Sequence, residues 1–312
     1  MNRPELYTHI GSHGTMADLD RAIFKLTGAD RVRYLNGQVS NDVRKLTPAA
    51  SMHACVMTAK GKMCADIFIA AGEDCLLVDA DPSLRENLAA RLERYIISDD
   101  VTLEDVTGEF FLAHLIALPG STPRIDALTF SKRKSRRYGR DGWDFFLTEE
   151  EHTSPGWREF AAGFPALDAE MLETLRIEAG IPRWGAELGE EILPNEAGLE
   201  KTAIDYHKGC YIGQEVVSRL KSVGHVNKQL HGFISTGGKP LQAGMELFTP
   251  DAPDRKIGWL TSATHSFALE KPIALGYLKR GTVAETLNAR PANDAGTENA
   301  CPVLVKELPF IP

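Results

Sequence analysis

The kinds of secondary structure that the sequence predicts change once along the chain, near residues 222 to 228. Before this point, apolar runs with strand-like alternation are mixed with segments whose apolar residues recur at helical spacing. After it, only short strand-like runs remain, separated by Gly, Pro and Asp. This change predicts an α+β region over residues 1–225 and a small all-β barrel or sandwich over residues 226–312.

Three strands are predicted within residues 51–80, where "SMHACVMTAKGKMCADIFIAAGEDCLLVDA" contains three apolar runs separated by two turns. Each turn has a glycine beside a charged residue, and glycine tolerates the left-handed backbone of a tight hairpin. We therefore expect an antiparallel meander. A strand is also predicted over residues 20–28, followed by a short helix that is entered through Asp30. Further strands are expected near residues 101–105, 110–117 and 143–148.

Two longer helices are predicted from their end signals. The first has Asp81 at its N-cap and Pro82 at its first position. The second, "DAEMLETLRIEAG", ends at Gly180, and Pro182 follows closely. The apolar residues of the first helix recur every four positions along one face, and they are Leu84, Leu88, Leu92 and Ile96.

Length and charge limit the class of protein. A chain of 312 residues with 43% hydrophobic and 25% charged residues is long enough for two or three domains with a sizeable core. A formal net charge of -8 argues against a general attraction to nucleic acid or to anionic membranes, although a local basic patch remains compatible with it. No segment reaches the roughly 18 apolar residues of a membrane span, and the start lacks a signal-like run. We expect a cytoplasmic protein with no membrane partner.

The cysteines predict free thiols. Their number is odd and no two have CxxC spacing, so the sequence supports neither a disulfide framework nor a zinc site, and no bound metal is predicted. The five residues are Cys55, Cys64, Cys75, Cys210 and Cys301.

The stretch "HKGCYIGQE", residues 207–215, contains the strongest candidate for chemistry. If a helix begins near Gly213, then Cys210 lies just before its N-terminus, where unpaired N–H groups favour a thiolate or a bound anion. Lys208 adds positive charge nearby. A structural interpretation is equally open at this point: the glycines permit a tight turn, and Cys210 fills a small hole.

"KGCYIGQE" resembles the signature of the YgfZ family of folate-binding proteins, which includes mitochondrial relatives needed for iron-sulfur cluster assembly. The family is related to the aminomethyltransferase (T-protein) of glycine cleavage. Three other segments resemble family segments in the same order: "RYLNGQVSNDVRKL", "TAKGKMCADIFI" and "LRIEAGIP". The resemblance implies two interleaved α+β domains and a C-terminal β-barrel, arranged as a ring around tetrahydrofolate or a one-carbon derivative of it.

The resemblance also implies folate-binding residues. Glu178 corresponds to the glutamate that faces the pterin, and a carboxylate can accept two parallel N–H bonds from the amino-pyrimidinone edge. Lys208, Arg219 and the backbone amides around Gly213 correspond to positions that could receive the glutamate tail of folate, since a helix N-terminus with adjacent cations binds anions. The structural alternatives are an exposed helix carboxylate that pairs with Arg176 or Arg183, and solvated surface cations.

Asp66 lies in the strand whose T-protein counterpart carries an essential aspartate beside the reactive nitrogens of folate. T-protein strands tend to have two adjacent acids, whereas this chain has Ala65-Asp66, and T-protein usually has an aspartate at the position of Cys210. We therefore do not expect ordinary glycine-cleavage activity. Asp66 is either a catalytic residue or a strand-end carboxylate that faces solvent.

The function that the resemblance implies is a folate-binding protein that supports the assembly or repair of iron-sulfur clusters, and so affects tRNA modification indirectly. Its expected partners are iron-sulfur client or assembly proteins. Cys210 would act as a nucleophile, a transient ligand or a one-carbon acceptor. The alternatives are a folate-dependent one-carbon (aminomethyl-type) transferase that uses Asp66, and a protein scaffold with a vestigial pocket.

The run "SKRKSRRYGR", residues 131–140, holds six Lys or Arg residues. Such a run could bind the phosphates of RNA or an acidic partner. Basic runs are more often solvated hairpins or loops, and strands are predicted on both sides of this one. We therefore do not expect direct nucleic-acid binding.

Overall fold

The computed structural model describes residues 3–116, 130–222, 224–292 and 300–311. The chain forms two compact units. The first comprises Met1–Leu167 and Leu199–Lys221, and the second comprises Asp168–Gly198 and Ser222–Pro312. The predicted mixture of helices and strands with a C-terminal β-barrel is confirmed. The division at residue 225 and the ring arrangement stay predictions.

The first unit contains a five-stranded antiparallel sheet with the order β3-β4-β5-β2-β6. Its first three strands in this order are the predicted meander, which is confirmed. The side chains of β4 alternate between buried and half-buried, because one face of the strand packs into the core. The strands are β2 (Ala22–Thr27), β3 (Ser51–Met57), β4 (Met63–Ala71), β5 (Leu76–Ala80) and β6 (Thr102–Asp105).

The first unit also contains a four-stranded antiparallel sheet with the order β1-β7-β9-β8. The predicted strands near 110–117 and 143–148 are confirmed, except that residue 117 lies outside the described residues. The basic run contributes β8, and the strand predicted just before it falls largely outside the described residues. The strands are β1 (Thr15–Leu19), β7 (Phe110–Ile116), β8 (Lys132–Ser135) and β9 (Gly142–Thr148).

Six helices are described in the first unit. Asp81 caps the predicted first long helix, but residues Pro82–Leu84 form a 3-10 turn and the α-helix ends at Glu93. The prediction that Ile96 continues this helix is wrong, because its amide donates to the Glu93 carbonyl three residues back and tightens the last turn. The helices are α1 (Arg3–His13), α2 (Arg31–Gln38), α3 (Arg85–Glu93), α4 (Glu149–Thr153), α5 (Pro155–Ala162) and α7 (Gln214–Ser222).

The second unit is built on a closed six-stranded barrel with the order β10-β13-β12-β11-β14-β15. Its interior is apolar, with Phe233, Leu247 and Val303 fully buried. The composition of "NARPANDAGTENA", residues 288–300, predicts a surface loop. This prediction is wrong for residues 288–290, which belong to strand β14, and residues 293–299 lie outside the described part. The strands are β10 (Lys228–Ser235), β11 (Glu246–Thr249), β12 (Ala252–Ser266), β13 (Lys271–Lys279), β14 (Thr286–Arg290) and β15 (Cys301–Lys306).

Helix α6 (Ala169–Glu178) packs on β12 within the second unit. Asp168 caps its N-terminus by accepting a hydrogen bond from the Met171 amide at 2.8 Å. Gly180, with φ of 68°, follows its end as predicted. No helix among the described residues combines the length and apolarity that crossing a membrane would require.

Candidate functional site

Lys208 anchors the loop that carries the family-like signature. Its side chain is buried, and Nζ donates hydrogen bonds to the carbonyls of Asn36, Val39 and Asn41 at 2.6 to 2.7 Å. These three acceptors match the three hydrogens of an ammonium group. The ammonium also lies over the ring of Tyr211, 4.8 Å from its centroid. Burial lowers the pKa of Lys208 to about 8. The lysine therefore fixes the loop to the C-terminal end of α2.

Further hydrogen bonds hold the same loop to the segment after α2. Ser40 Oγ donates to the Ala203 carbonyl at 2.6 Å, and the Asp205 amide donates to the Ser40 carbonyl at 3.1 Å. The Ile212 amide donates to the Gly37 carbonyl at 3.2 Å. The loop is thus bonded on both sides of Cys210 to the segment that contains "RYLNGQVSNDVRKL".

Two glycines let the start of α7 lie directly on the β3–β4 turn. Gly213 has φ of 91°, and a Cβ there would lie 2.8 Å from the Thr58 carbonyl oxygen. Gly61 has φ of 74°, and a Cβ there would lie 2.8 Å from Cβ of Val216. An L side chain at either position would meet both backbone strain and a clash. Three of the segments that resemble one family are therefore in contact with one another in the first unit.

Cys210 is an exposed free thiol. Helix α7 begins four residues later, at Gln214, close to the predicted start. The interpretation that Cys210 fills a small hole is wrong, because an exposed side chain fills no interior space. Its neighbours Lys208 and Tyr211 are buried, so the loop is fixed by its flanking residues while the thiol reaches solvent.

Arg219 lies on the outer surface of α7. Its side chain is 72% exposed and pairs with Glu215 one turn earlier at 3.1 Å. An exposed pair of this kind contributes little to stability. The role of Arg219 in binding an anionic tail stays a prediction.

Asp66, on β4, is hydrogen-bonded to a histidine that sequence reasoning missed. His53 Nε2 lies 2.5 Å from Asp66 Oδ1, and His53 Nδ1 lies 3.1 Å from the Thr202 hydroxyl. The imidazole stacks on Phe68, with ring centroids 4.7 Å apart. Asp66 and His53 side chains are 18% and 17% exposed, so Asp66 is neither buried nor a free solvent carboxylate. His53 faces Phe68 in the β3–β4 register, which shifts by one residue between Met57 and Val56, so counting back from the turn would not have identified the pair.

Cys55 lies opposite Asp66 in the hairpin register and is fully buried. Burial, with a contribution from the Asp66 charge, raises the pKa of the Cys55 thiol well above its usual range. Cys55 is therefore a neutral core side chain rather than a second reactive thiol beside Asp66.

Glu178 is the last residue of α6 and lies in the second unit. It is only 2% exposed, and its Oε1 accepts a hydrogen bond from Ser266 Oγ at 2.6 Å. The alternative of an exposed helix carboxylate is therefore wrong. Arg176, two residues earlier, pairs with Glu173 at 2.6 Å and Glu187 at 2.9 Å.

The predicted site residues are divided between the two units. Cys210, Lys208, Gly213, Asp66 and Arg219 belong to the first unit, whereas Glu178 belongs to the second. Within the first unit, Thr202 lies shortly before the signature loop in the sequence. The chain itself therefore connects the hydrogen-bonded group of Asp66, His53 and Thr202 to the signature loop. The prediction that all six residues serve one folate stays a prediction. Across the described ranges, no group of three or more His, Cys, Asp or Glu side chains could hold a metal ion.

Replacing Lys208 by methionine is expected to lower the free energy of unfolding by about 2 to 3 kcal/mol, because buried carbonyls lose a charged donor. Urea unfolding monitored by circular dichroism measures this change. Lys201→Met is the matched control, since Lys201 is exposed and should change stability by less than about 0.5 kcal/mol. Equal effects of the two variants would contradict the anchoring role of Lys208.

Comparisons with known proteins agree with the architecture. Residues 228–310 match the family model of the glycine cleavage T-protein C-terminal barrel domain. The solved structure of the glycine cleavage system aminomethyltransferase T from Bartonella henselae superposes with a TM-score of 0.82, covering 98% of this chain and 89% of that one. The sequence identity is 18%, so this likeness concerns the fold.

Curated relatives extend the similarity beyond the barrel. The chain is 27% identical over 240 residues to the tRNA-modifying protein YgfZ of Klebsiella pneumoniae (strain 342), which is 73% of each chain. It is 29% identical over 248 residues to the tRNA-modifying protein YgfZ of Sodalis glossinidius (strain morsitans), again 73% of each. The resemblance to YgfZ proteins and to T-protein, first predicted from the motifs, is confirmed.

Proposed function

We propose that this chain binds a reduced folate and supports the assembly or repair of iron-sulfur clusters in client enzymes, with an indirect effect on tRNA modification. The observation that carries the proposal is the form of the signature loop. Its buried members, Lys208 and Tyr211, fix the loop, while Cys210 between them is exposed. Similarity to proteins named tRNA-modifying protein YgfZ supports the same function.

The thiol suits this work because thiolates are good ligands for iron and strong nucleophiles. A loop that holds its thiol outward on a fixed backbone offers it to a large partner such as a client protein. Three roles follow for Cys210: nucleophile, transient cluster ligand, or acceptor of a one-carbon unit. Each needs an accessible sulfur.

Glu178 is proposed to hold the pterin ring. A buried carboxylate fits the amino-pyrimidinone edge because its acceptor oxygens can receive two parallel N–H bonds, which are stronger away from water. The Ser266 hydroxyl on Oε1 orients the carboxylate. A reduced folate supplies a carrier for one-carbon units when it is bound.

For the glutamate tail, the proposed residues are Arg219 and the backbone amides at the start of α7 near Gly213. Arg219 is exposed, and its surface pair with Glu215 is weak enough to rearrange. Lys208 contributes indirectly, because its ammonium already binds three backbone carbonyls. It holds the loop from which α7 begins.

Replacing Glu178 by alanine is expected to weaken tetrahydrofolate binding by about 1.5 to 3 kcal/mol, the usual contribution of a hydrogen bond to a charged group. Calorimetric titration under anaerobic conditions measures this loss. Glu170→Ala, an exposed position on the same helix, is the control and should leave the affinity unchanged. An unchanged affinity in Glu178→Ala would mean that the pterin lies elsewhere.

The cellular role is tested by deleting the gene and measuring the activities of several iron-sulfur enzymes. The proposal expects these activities to fall and a plasmid copy of the wild-type gene to restore them. Enzymes without iron-sulfur clusters serve as controls and should keep their activity. Unchanged iron-sulfur enzymes in the deletion strain would refute the role.

A second function, a folate-dependent one-carbon transferase, is favoured by the partly exposed carboxylate of Asp66. In this function Asp66 acts as a general base or as an electrostatic partner of the reacting nitrogen. It requires turnover: purified protein mixed with methylene- or methyl-folate and candidate donors or acceptors should form a new folate at catalytic rates. Stoichiometric binding alone would eliminate the transferase, and a complete lack of folate affinity would favour a scaffold with a vestigial pocket.

A further inference from the structure

Three side chains of the first unit form a hydrogen-bonded chain that ends at Asp66. A carboxylate only accepts hydrogen bonds, so the proton of a neutral imidazole lies on His53 Nε2 and donates to Asp66 Oδ1 over 2.5 Å. His53 Nδ1 then accepts from the Thr202 hydroxyl over 3.1 Å. Both hydrogen bonds run in one direction, from Thr202 through His53 to Asp66.

The imidazole has little freedom to leave this position. Its ring is stacked on Phe68 at a centroid distance of 4.7 Å and an interplanar angle of 8°. The guanidinium carbon of Arg137 lies 4.0 Å from the centroid of the same phenyl ring. An imidazole and a guanidinium cannot both cover one face at these distances, so Phe68 lies between them and is itself held in place.

Asp66 differs from two other strand carboxylates of the first unit, Asp79 and Asp144, in the side chain with which it is paired. Asp79 and Asp144 are fully buried, and both are paired with Arg137. Asp66 has no Lys or Arg partner among the described residues and is bonded to His53 alone. A carboxylate that is oriented but not neutralised can give its second oxygen to a ligand.

We propose that His53 is a positioning residue for Asp66: by binding Oδ1 it turns Oδ2 toward solvent as an acceptor for an N–H group of the ligand, and Thr202 keeps the imidazole in the required tautomer. The inference rests on the proposed function, since it takes the ligand to be a reduced folate. It adds two residues, His53 and Thr202, to the side chains that shape this part of the site.

The test compares tetrahydrofolate affinities of wild-type protein and His53 variants by anaerobic calorimetry. His53→Leu removes the donor to Asp66 and should weaken binding about tenfold. His53→Gln carries an amide N–H at the position of Nε2 and should restore the affinity to within about threefold of wild type. If His53 only packed against its neighbours, the apolar leucine would replace it better than glutamine. Higher affinity in the glutamine variant than in the leucine variant therefore identifies an orienting hydrogen bond.

His152 provides a matched control in the same unit. It stacks on Phe111 with centroids 4.4 Å apart, much as His53 stacks on Phe68. His152→Leu should bind tetrahydrofolate like wild type. A spectroscopic readout independent of folate is the nitrogen chemical shift of the His53 ring, which should report a proton on Nε2 and none on Nδ1 in the wild type.

The outcomes separate this inference from the proposed function. If the wild-type protein binds no tetrahydrofolate, the proposed function is wrong. The assignment of a reduced folate as the ligand of Asp66 is then wrong as well. Wild-type protein that binds tetrahydrofolate, with His53→Leu equal to it or with no rescue in His53→Gln, overturns the positioning role alone. A His53 ring protonated on Nδ1 and bare at Nε2 also overturns it.

Discussion

Replacing Cys210 by serine is expected to abolish the ability of this chain to restore iron-sulfur enzyme activity in a strain from which its gene has been deleted. Serine has nearly the same shape, but its hydroxyl is a much poorer ligand for iron and a weaker nucleophile at neutral pH. Because Cys210 is exposed and the loop is held by Lys208, Tyr211 and Gly213, the fold should persist. Stability should change by no more than about 0.5 kcal/mol.

The measurement is the activity of several iron-sulfur enzymes in the deletion strain that carries each variant at equal protein level. Cys75→Ser is the control, since Cys75 is a half-buried thiol of the same unit and belongs to no proposed site. Full restoration by Cys210→Ser would exclude all three chemical roles of the thiol. Loss of activity accompanied by unfolding would instead return Cys210 to a structural role.

Replacing Arg137 by methionine is expected to lower the free energy of unfolding by about 3 to 5 kcal/mol near neutral pH, because the buried Asp144 loses its arginine partner and the buried Asp79 keeps only Arg21. The guanidinium donates to both oxygens of Asp79, at 2.9 and 2.6 Å, and to both oxygens of Asp144, at 2.8 and 3.0 Å. All three side chains are buried, and Arg137 connects Asp79 on β5 of one sheet to Asp144 on β9 of the other.

The same variant should change how stability depends on pH. Burial alone would raise the pKa of Asp144, but the charge of Arg137 and the hydrogen bond with His114 hold it well below its usual range. A carboxyl with a lowered folded-state pKa contributes stability above its unfolded pKa of about 3.9, and loses it as pH falls through the folded-state value. In Arg137→Met burial dominates, so protonation of Asp144 should favour the folded state. The deficit relative to wild type should therefore shrink as pH falls toward about 4.5.

Urea unfolding of both proteins near neutral pH and at about pH 4.5 tests this expectation. Arg136→Met is the control, because Arg136 is exposed, forms an ion pair with the exposed Asp141 and donates to the Gly139 carbonyl on the surface. It should change stability by less than about 0.5 kcal/mol at either pH. A deficit in Arg137→Met that stays constant between the two pH values would contradict the assigned electrostatic cause.

Helices and strands were predicted correctly where their turn and cap residues lie within or next to the element. The meander has turns that contain glycine, and α6 has an acidic cap and a closing glycine, so each could be identified from neighbouring residues. Strand β14 was not predicted, although Leu287 and Ala289 alternate with polar residues in "TLNAR", because two apolar residues are too short a pattern to identify a strand that forms by pairing with β11 and β15. This strand depends on closure of the barrel, and a short stretch of sequence gives no information about that closure.

The basic run illustrates the same limit. It was predicted to be a solvated hairpin or loop, and part of it is strand β8. Two of its six cations are buried: Arg133 binds the Ala71 carbonyl and Arg137 binds two carboxylates. Their partners lie on other strands, so charge counting along the sequence could not separate structural cations from exposed ones.

Much of the candidate site was predicted from motifs, but the function of each side chain within it was not. Lys208 was predicted to receive an anion, whereas its contacts are three backbone carbonyls more than 160 positions away. Glu178 was predicted as a ligand residue, and its burial against Ser266 depends on α6 packing on β12. His53 was missed because its importance lies in cross-strand register rather than in a motif.

The central claim is that this chain binds a reduced folate. It is tested most directly by anaerobic calorimetric titration of the purified wild-type protein with tetrahydrofolate. The account predicts saturable binding of one tetrahydrofolate per chain, which Glu178→Ala weakens and Glu170→Ala does not. An absence of saturable binding, with a protein that unfolds cooperatively and is therefore intact, would contradict it.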